Sequence, residues 1–385
     1  MSVFDDLVGQ QVAVETLRAA VHDAGGPTLA GGRAMTQAWL FTGPPGSGRS
    51  NAARAFAAAL VCQTNGCGEC TACHTALIGT HSDVNLVVTE TLSIGVEVAR
   101  DLVLEAATAP SVGAWRVIVI EDADRLTDQA NNALLKSIEE PTPHTVWLLC
   151  APSLDDVLPT IRSRTRHVSL VTPSVKDVAD YLVRTSSVDP AIASFAARAS
   201  QGHIGRARGL ATSESARLNR AETLRIPLRV VDLGTCLTTA RDLVDAATDR
   251  AEERTKDADA VERSELARGL GVDNPQRVPK WAAPQFKELG KVQKKRAGRA
   301  VRDEIDRDLL DLASFYRDVF VVQAGADVQL VNAELSGEVE KVATRGAAES
   351  TLRSMEAILR ARERIEASVA PLLAIEELML TLRVG

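Results

Sequence analysis

Ala38-Trp-Leu-Phe-Thr-Gly43-Pro-Pro-Gly46-Ser-Gly48-Arg49-Ser50 is the stretch on which the fold turns. Its apolar start reads as a buried strand and its glycine-rich middle as a tight loop. The alanine-rich run from Asn51 to Leu60 that follows reads as a helix. Strand, loop and helix in this order are the setting of a phosphate loop. There, backbone amides cradle phosphates, a lysine reaches the β- and γ-phosphates, and a hydroxyl holds Mg²⁺. Gly43, Gly46, Gly48 and Ser50 fit that pattern, but Arg49 stands in the lysine position. Arginine is bulkier and forked and is no neutral swap for a point-charge ammonium, so the loop geometry is expected and its chemistry is weakened.

Just downstream lie Cys62, Cys67, Cys70 and Cys73, spaced C-x4-C-x2-C-x2-C. Structural zinc takes four thiolate or imidazole ligands in a tetrahedron, and closely spaced C-x2-C pairs supply two from one turn. Gly66 and Gly68 flank Cys67 and allow the bends of a small knuckle. Two disulfides are the alternative. The opening Met1-Ser2-Val3-Phe4-Asp5-Asp6 has neither the basic start nor the apolar run of an export signal. A reducing cytoplasm leaves such clusters to metals, so one structural Zn²⁺ and a cytoplasmic location are expected. Cys150 ends an apolar run and reads as a small buried hydrophobe; Cys236 is isolated.

A chain of 385 residues holds two or three domains. It is 45% hydrophobic, with no apolar stretch near the length of a membrane span. Few aromatics and much alanine point to helix. A net charge of −7 makes the whole chain a poor candidate for gripping DNA by itself. Five apolar runs occupy the first 170 or so residues: Trp39 to Thr42, Asn85 to Val88, Arg116 to Ile120, Thr145 to Cys150 and His167 to Leu170. Alternating with helical segments, they imply a parallel sheet covered on both faces. The third run is followed by Glu121-Asp122-Ala123-Asp124. Beside a phosphate loop, such acids hold Mg²⁺ and orient water; alone, they could cap a helix. A helix over Asn131 to Glu140, stopped by Pro141, places Ala130, Leu134, Leu135 and Ile138 on one face.

No further strand is expected after Pro173. Ser174 to Ser213 reads as a small helical unit around Tyr181, Leu182, Ile192, Phe195 and Ala196, with a turn at Gly202-His-Ile-Gly205. From Glu214 onward the pattern stays helical, clearest over Asp308 to Val322 and Leu352 to Leu382. Leu372, Leu373, Ile375, Leu378, Met379 and Leu382 form an apolar face on the last helix. A charged tract from Ala251 to Arg302 carries Lys287, Lys291, Lys294, Lys295, Arg296 and Arg299 beside Trp281 and Phe286. It reads either as a solvated helical hairpin or as a partner-contact arm anchored by the two aromatics.

The loop and cysteine cluster, with Ile120-Glu-Asp-Ala-Asp-Arg-Leu126, Asn132-Ala-Leu-Leu-Lys-Ser-Ile-Glu-Glu-Pro141 and Leu158-Pro-Thr-Ile-Arg-Ser-Arg-Thr165, resemble bacterial replicative clamp-loader subunits. These are AAA+ proteins of the DNA polymerase III holoenzyme, a DNA-directed DNA polymerase (nucleotidyltransferase). Phe4-Asp5-Asp6-Leu7-Val8-Gly9-Gln10 is similar to their adenine-side segment. The likeness covers about residues 1–210. It implies an α/β AAA+ P-loop domain over 1–172, with a five-stranded parallel sheet and a zinc module at about 61–74. An all-α lid over 173–213 and an all-α collar over 214–385, with a charged insertion at about 251–302, would follow.

Two branches of this family carry the zinc module: the ATP-hydrolysing tau/gamma subunits and the non-motor delta-prime subunits. Here the lysine position is Arg49, and the acidic pair reads Glu121-Asp122 instead of Asp-Glu. The sensor 1 position is Ala151, with Ser153 two places on; the sensor 2 position is Gly205, with Arg206 one place late. Yet Ser163-Arg164 remains where the family has Ser-Arg-Cys, with Thr165 replacing the cysteine. The resemblance is therefore to delta-prime. It implies a degenerate site (Gly43, Gly46, Gly48, Arg49, Ser50, Glu121, Asp122) that binds ATP/Mg²⁺ weakly or not at all, without independent ATPase activity. Arg164 would act in trans as an arginine finger for a neighbouring tau/gamma subunit. Delta, three tau/gamma and delta-prime would form an arc that opens the sliding clamp and places it on primed DNA, with no membrane partner. Three rivals stand beside this. One is the tau/gamma motor itself with Arg49 functional. Another is a metabolic P-loop enzyme, which needs a second substrate site that the helical C-terminal half does not offer. The third is a zinc-containing nucleic-acid-binding protein, against which stand the net charge and the few aromatics.

Overall fold

Strand and helix alternate from Gln11 to Ser169, and every strand pairing in that stretch is parallel. The computed structural model describes residues 2–25, 34–89, 93–272, 274 and 277–384. The order is α1 (Gln11–Ala24), β1 (Ala38–Thr42), α2 (Arg49–Val61), α3 (Thr71–Ile78), β2 (Val84–Val87), α4 (Val96–Ala106), β3 (Arg116–Ile120), α5 (Asp128–Glu139), β4 (Thr145–Ala151), α6 (Pro159–Arg162) and β5 (Arg166–Ser169). The five strands lie in the order β2-β3-β4-β1-β5. This is the five-stranded parallel α/β architecture, with a phosphate-type loop after its first strand, that the sequence leads one to expect. Three strands begin one residue earlier than apolarity alone suggests, and β4 runs one residue longer. At the exit of β5, Leu170 still donates its amide to Thr42 O at 2.7 Å although the strand ends at Ser169.

The alternation along each strand builds two cores. Trp39, Phe41, Val117, Val119, Leu148 and Cys150 point to one face, where α1, α2 and α3 cover them. Leu40, Ile118, Ile120, Trp147 and Leu149 point to the other, where α4 and α5 bring Ala99, Leu102, Leu134 and Ile138. Small residues make the first face close: Ala52, Ala53, Ala55, Ala57, Ala58 and Ala59 of α2 are all buried, so this helix sits almost flush on the sheet. In α5, Thr127 caps the N-terminus by accepting from Ala130 N, and Ala130, Leu134 and Ile138 face inward; Leu135 is only half-buried.

The chain divides into two compact units, Met1–Thr212 and Ser213–Gly385. The first also holds α7 (Val175–Ser186), α8 (Pro190–Ala199) and α9 (Ile204–Thr212), packed through Val178, Tyr181, Leu182 and Ala196. Ile192 and Phe195 are half-buried and lie at the edge of this small core.

The second unit is helical throughout its described residues. It comprises α10 (Glu214–Leu224), α11 (Ile226–Arg229), α12 (Leu233–Gly269), α13 (Ala283–Gln323), α14 (Ser336–Ala343), α15 (Ala348–Glu366) and α16 (Pro371–Val384). Its core joins α12, α13, α15 and α16 through Ala240, Leu243, Ile305, Leu309, Leu312, Ile358, Ile375 and Met379. On α16, Ile375, Leu378, Met379 and Leu382 are buried, but Leu373 is 62% exposed. The apolar face is thus narrower than the sequence suggests, because Leu373 falls off the i, i+3, i+4, i+7 line that starts at Ile375. Buried Arg220 bonds Asp311 at 2.8 Å and Asn332 at 2.5 Å, which ties the 331–334 segment to α13. No helix among the described residues is long and apolar enough to cross a membrane.

Candidate functional site

Cys62 closes α2 as its C-cap, Cys70 is the N-cap of α3, and Cys73 lies in the first turn of α3. Cys67 sits between Gly66 and Gly68, whose φ values of +91° and +77° are the left-handed bends the knuckle needs. The four Sγ atoms lie within 4.8 Å of one another. Cys62 Sγ is 3.8 Å from Cys67 Sγ and 3.7 Å from Cys70 Sγ. A tetrahedron with Zn–S bonds of about 2.3 Å places its sulfurs about 3.8 Å apart, so the donor set fits such an ion. All four cysteines are free of disulfides.

The thiols differ in how readily they ionise. Burial opposes ionisation of Cys62, yet the Thr64 hydroxyl and the amides of Cys67, Thr64 and Gly66 bring it down to about 5. Burial pushes the Cys73 thiol up instead, and neighbouring Cys62 and Cys70 add to the rise. Cys67 is lowered too, by hydrogen bonds from the Thr64 hydroxyl and the Glu69 and Cys70 amides, so two of the thiols are primed as thiolate ligands. The module is also tied to the chain's start, because Val3 donates its amide to Gly66 O at 3.1 Å.

The phosphate loop joins β1 to α2 as expected, with Gly48 in the left-handed region at φ +90° just before α2. Ser50 is half-buried in the first turn of α2. The side chains around the loop are committed elsewhere. The Arg49 guanidinium folds back and donates to the Gly43 carbonyl. Glu121, at the end of β3, takes an ion pair from Arg54 Nε at 2.5 Å. Asp122 follows it, half-buried. Ala151 ends β4, fully buried and without a polar group. Ser153 turns its hydroxyl to Asp156 at 2.8 Å. A methyl built on Gly46 would stand 2.4 Å from His203 Cγ, so the lid histidine lies directly against the loop. Gly205 and Arg206 follow in α9, and the Arg206 amide bonds His203 Nδ1 at 3.3 Å. Gln10 clamps the far side, donating to Ser47 O at 3.2 Å and Val171 O at 2.7 Å while accepting from Val171 N.

This arrangement does not fit Mg-ATP. The cationic side chain points into the loop's own carbonyl, and the acid a metal would need is neutralised by an arginine. Arg54 and His203 carry no local sequence signal for this role; their partners lie 67 and 157 positions away.

Arg164 follows α6, next to the edge strand β5. It is exposed, with Nε 2.7 Å from Glu139 Oε1 and Nη1 2.8 Å from Thr160 O. Ser163 Oγ accepts from the same guanidinium at 3.1 Å.

Comparison with known proteins gives this geometry its relatives. The family described as "DNA polymerase III, delta subunit" matches residues 29–174, and "DNA polymerase III, delta subunit, C terminal" matches 302–383. Subunit delta-prime of DNA polymerase III from Pseudomonas aeruginosa is 37% identical over 168 residues, 42% of this chain and 51% of the relative. The gamma/tau subunit of Mycobacterium tuberculosis is 34% identical over 169 residues, 43% of this chain and 28% of the relative. The chain thus spans about half, or less, of the length of these two. Subunit delta-prime of Bacillus subtilis is 25% identical over 354 residues, 91% of this chain and 92% of the relative. Two models described as DNA polymerase III delta subunit match the first and last parts of the chain, and one delta-prime subunit aligns along nearly its whole length, which makes the chain a relative of the DNA polymerase III delta-prime subunits.

Proposed function

We propose that this chain is the non-hydrolysing member of a clamp loader, which places a sliding clamp on primed DNA during chromosome replication. The supporting observation is an asymmetry. Arg49 is turned into Gly43 O and Glu121 is held by Arg54, while Arg164 is exposed just after α6 and pairs with Glu139. A chain with its own site closed and an outward arginine suits a subunit that serves a neighbour's nucleotide. In this reading Arg164 exchanges Glu139 for the γ-phosphate of an adjoining tau/gamma subunit. Its forked guanidinium then stabilises charge on the transferring group. Delta and tau/gamma are the partners, and the clamp and primed DNA the substrates of the assembly. The location is cytoplasmic.

Zn²⁺ is the proposed occupant of Cys62, Cys67, Cys70 and Cys73. Bound there, it supplies folding energy and no chemistry, because four protein ligands leave no position for water. Residues 1–172, 173–213 and 214–385 are assigned as AAA+ domain, lid and collar, and the last as the oligomerising part.

The test is reconstitution with tau/gamma, delta, clamp and primed DNA. Loading and DNA-stimulated ATPase should require this chain, and the chain alone should turn over no ATP. Robust hydrolysis by the isolated protein would transfer it to the motor branch.

A further inference from the structure

Helices α12 and α13 continue as an antiparallel pair beyond the helical core. At the base Arg250 meets Glu304 and Asp308. Midway, Arg296 pairs with Asp259 and Glu262 at 2.6 Å or less, and Gln293 donates to Asp259 O at 3.0 Å. Further out Arg263 lies 5.3 Å over the Phe286 ring. The tip closes on Ala267, Val272, Ala282 and Phe286, a cluster drawn, among the described residues, from these helices and their connection alone. The charged tract is therefore an ordered arm with its own small core. The stretch from Lys287 to Arg302 runs about 22 Å along the helix axis.

Charge is segregated on this arm. From Arg277 to Arg302 there are nine Lys and Arg residues against one acid, Glu288, a local +8 within a chain of −7. Pairing between the helices uses Arg296, which turns inward. Lys287, Lys291 and Lys294 recur at helical spacing and, with Lys295, are exposed. Just before α13, Trp281 is 60% exposed while its neighbours Ala282 and Phe286 are buried, so packing beneath holds the indole outward. An acidic peptide would satisfy the lysines but would cover the indole only if it also carried an aromatic or proline at the matching place. A nucleic acid satisfies both, with phosphates for the cations and a base face for the ring.

We infer that the arm is a DNA-binding surface, on which Lys287, Lys291, Lys294 and Lys295 contact phosphates and Trp281 stacks on an unpaired base at the tip. The whole-chain charge conceals this surface, because the balancing acids lie on α12 and outside the arm. The inference does not depend on the clamp-loading reading.

The experiment uses the full chain and fluorescently labelled single-stranded, duplex and junction oligonucleotides, with anisotropy followed from about 50 to about 200 mM salt. Each phosphate contact contributes about 0.7–0.9 to the slope of log affinity against log salt. Combined Lys287→Gln, Lys291→Gln, Lys294→Gln and Lys295→Gln should flatten that slope by about 3 and cost at least about tenfold in affinity at low salt. The four Lys→Arg changes should retain binding. Trp281→Ala should cost about tenfold on single-stranded and junction DNA and little on duplex. Glutamine is a good helix former, so the arm should stay folded, which thermal melting checks. If melting falls, Lys294→Gln with Lys295→Gln should give half the slope change. Three results overturn the inference: no DNA binding by the wild-type chain at low salt, an unchanged slope in the glutamine variants, or displacement of DNA by polyglutamate at equal charge.

Discussion

Replacing Arg54 with alanine frees the carboxylate that a metal-bound nucleotide would need. Arg54 Nε stands 2.5 Å from Glu121 Oε1, with the side chains 29% and 11% exposed. Breaking a buried ion pair costs about 3–5 kcal/mol, and the partial exposure of Arg54 reduces this to about 2–3 kcal/mol. Freeing Arg49 from the Gly43 carbonyl adds about 1 kcal/mol. Together these place Mg-nucleotide affinity about 10²- to 10³-fold below that of a preformed loop. Binding of a fluorescent ATP analogue should be measured for wild type, Arg49→Lys, Arg54→Ala and the double variant, with and without Mg²⁺. Arg49→Lys alone should gain less than about tenfold, and the double variant about a hundredfold. The gain from Arg54→Ala should require Mg²⁺. It should also appear as a rise in melting temperature, since the ion re-pairs Glu121. None of the variants should hydrolyse ATP, because Ala151 and Gly205 still offer nothing to position the γ-phosphate. Wild-type binding as tight as that of the double variant, or an Arg54→Ala gain indifferent to Mg²⁺, would refute the view that these arginines close the site.

Protein purified without chelator should carry one zinc per chain. Cys73→Ser should cut that content and lower the melting temperature, and full metal retention would rule out the four-thiolate site. In a reconstituted complex Arg164→Ala should leave assembly and zinc intact while lowering DNA-stimulated ATPase; lysine should rescue poorly, and a wild-type loading rate would dismiss the role in trans. Asp83 is fully buried. Burial opposes its charge, but the Ser111, Val112 and Gly113 amides and the Ser111 hydroxyl hold its carboxyl well below the usual range. Because the folded-state value is depressed, its stabilisation is complete above the unfolded value and is lost as pH falls. Asp83→Asn should therefore cost about 3 kcal/mol near neutral pH, with the gap to wild type closing below about pH 4 in urea unfolding. A penalty independent of pH would show that shape, not charge, is what matters there.

The sheet and the metal cluster were legible because their signals are local. Trp39 to Thr42 announces a strand by composition, and the four cysteines fall within twelve residues. Arg49 was visible as a departure from a pattern. What the sequence hid are pairings fixed by strand order. Arg54 meets Glu121 only because α2 packs against β3, and Glu139 meets Arg164 only because α5 ends near α6. His203 reaches Gly46 through the packing of the lid. By sequence the arm reads as a solvated hairpin or a contact element. Its order rests on Arg296 bridging 34 and 37 residues back to Glu262 and Asp259, which helical periodicity does not reveal.

The close approach of His203 to Gly46 changes what a glycine signature means in this protein. A methyl at Gly43 would likewise stand 2.6 Å from the Leu170 carbonyl, and the one at Gly46 would collide with the lid. Folding alone therefore forbids side chains at both positions, whether or not a phosphate ever arrives. Position 49 faces no such veto and can drift. A sequence under selection only for its shape would keep the glycines of the loop and let the charged residue wander, leaving a motif that outlasts its ligand.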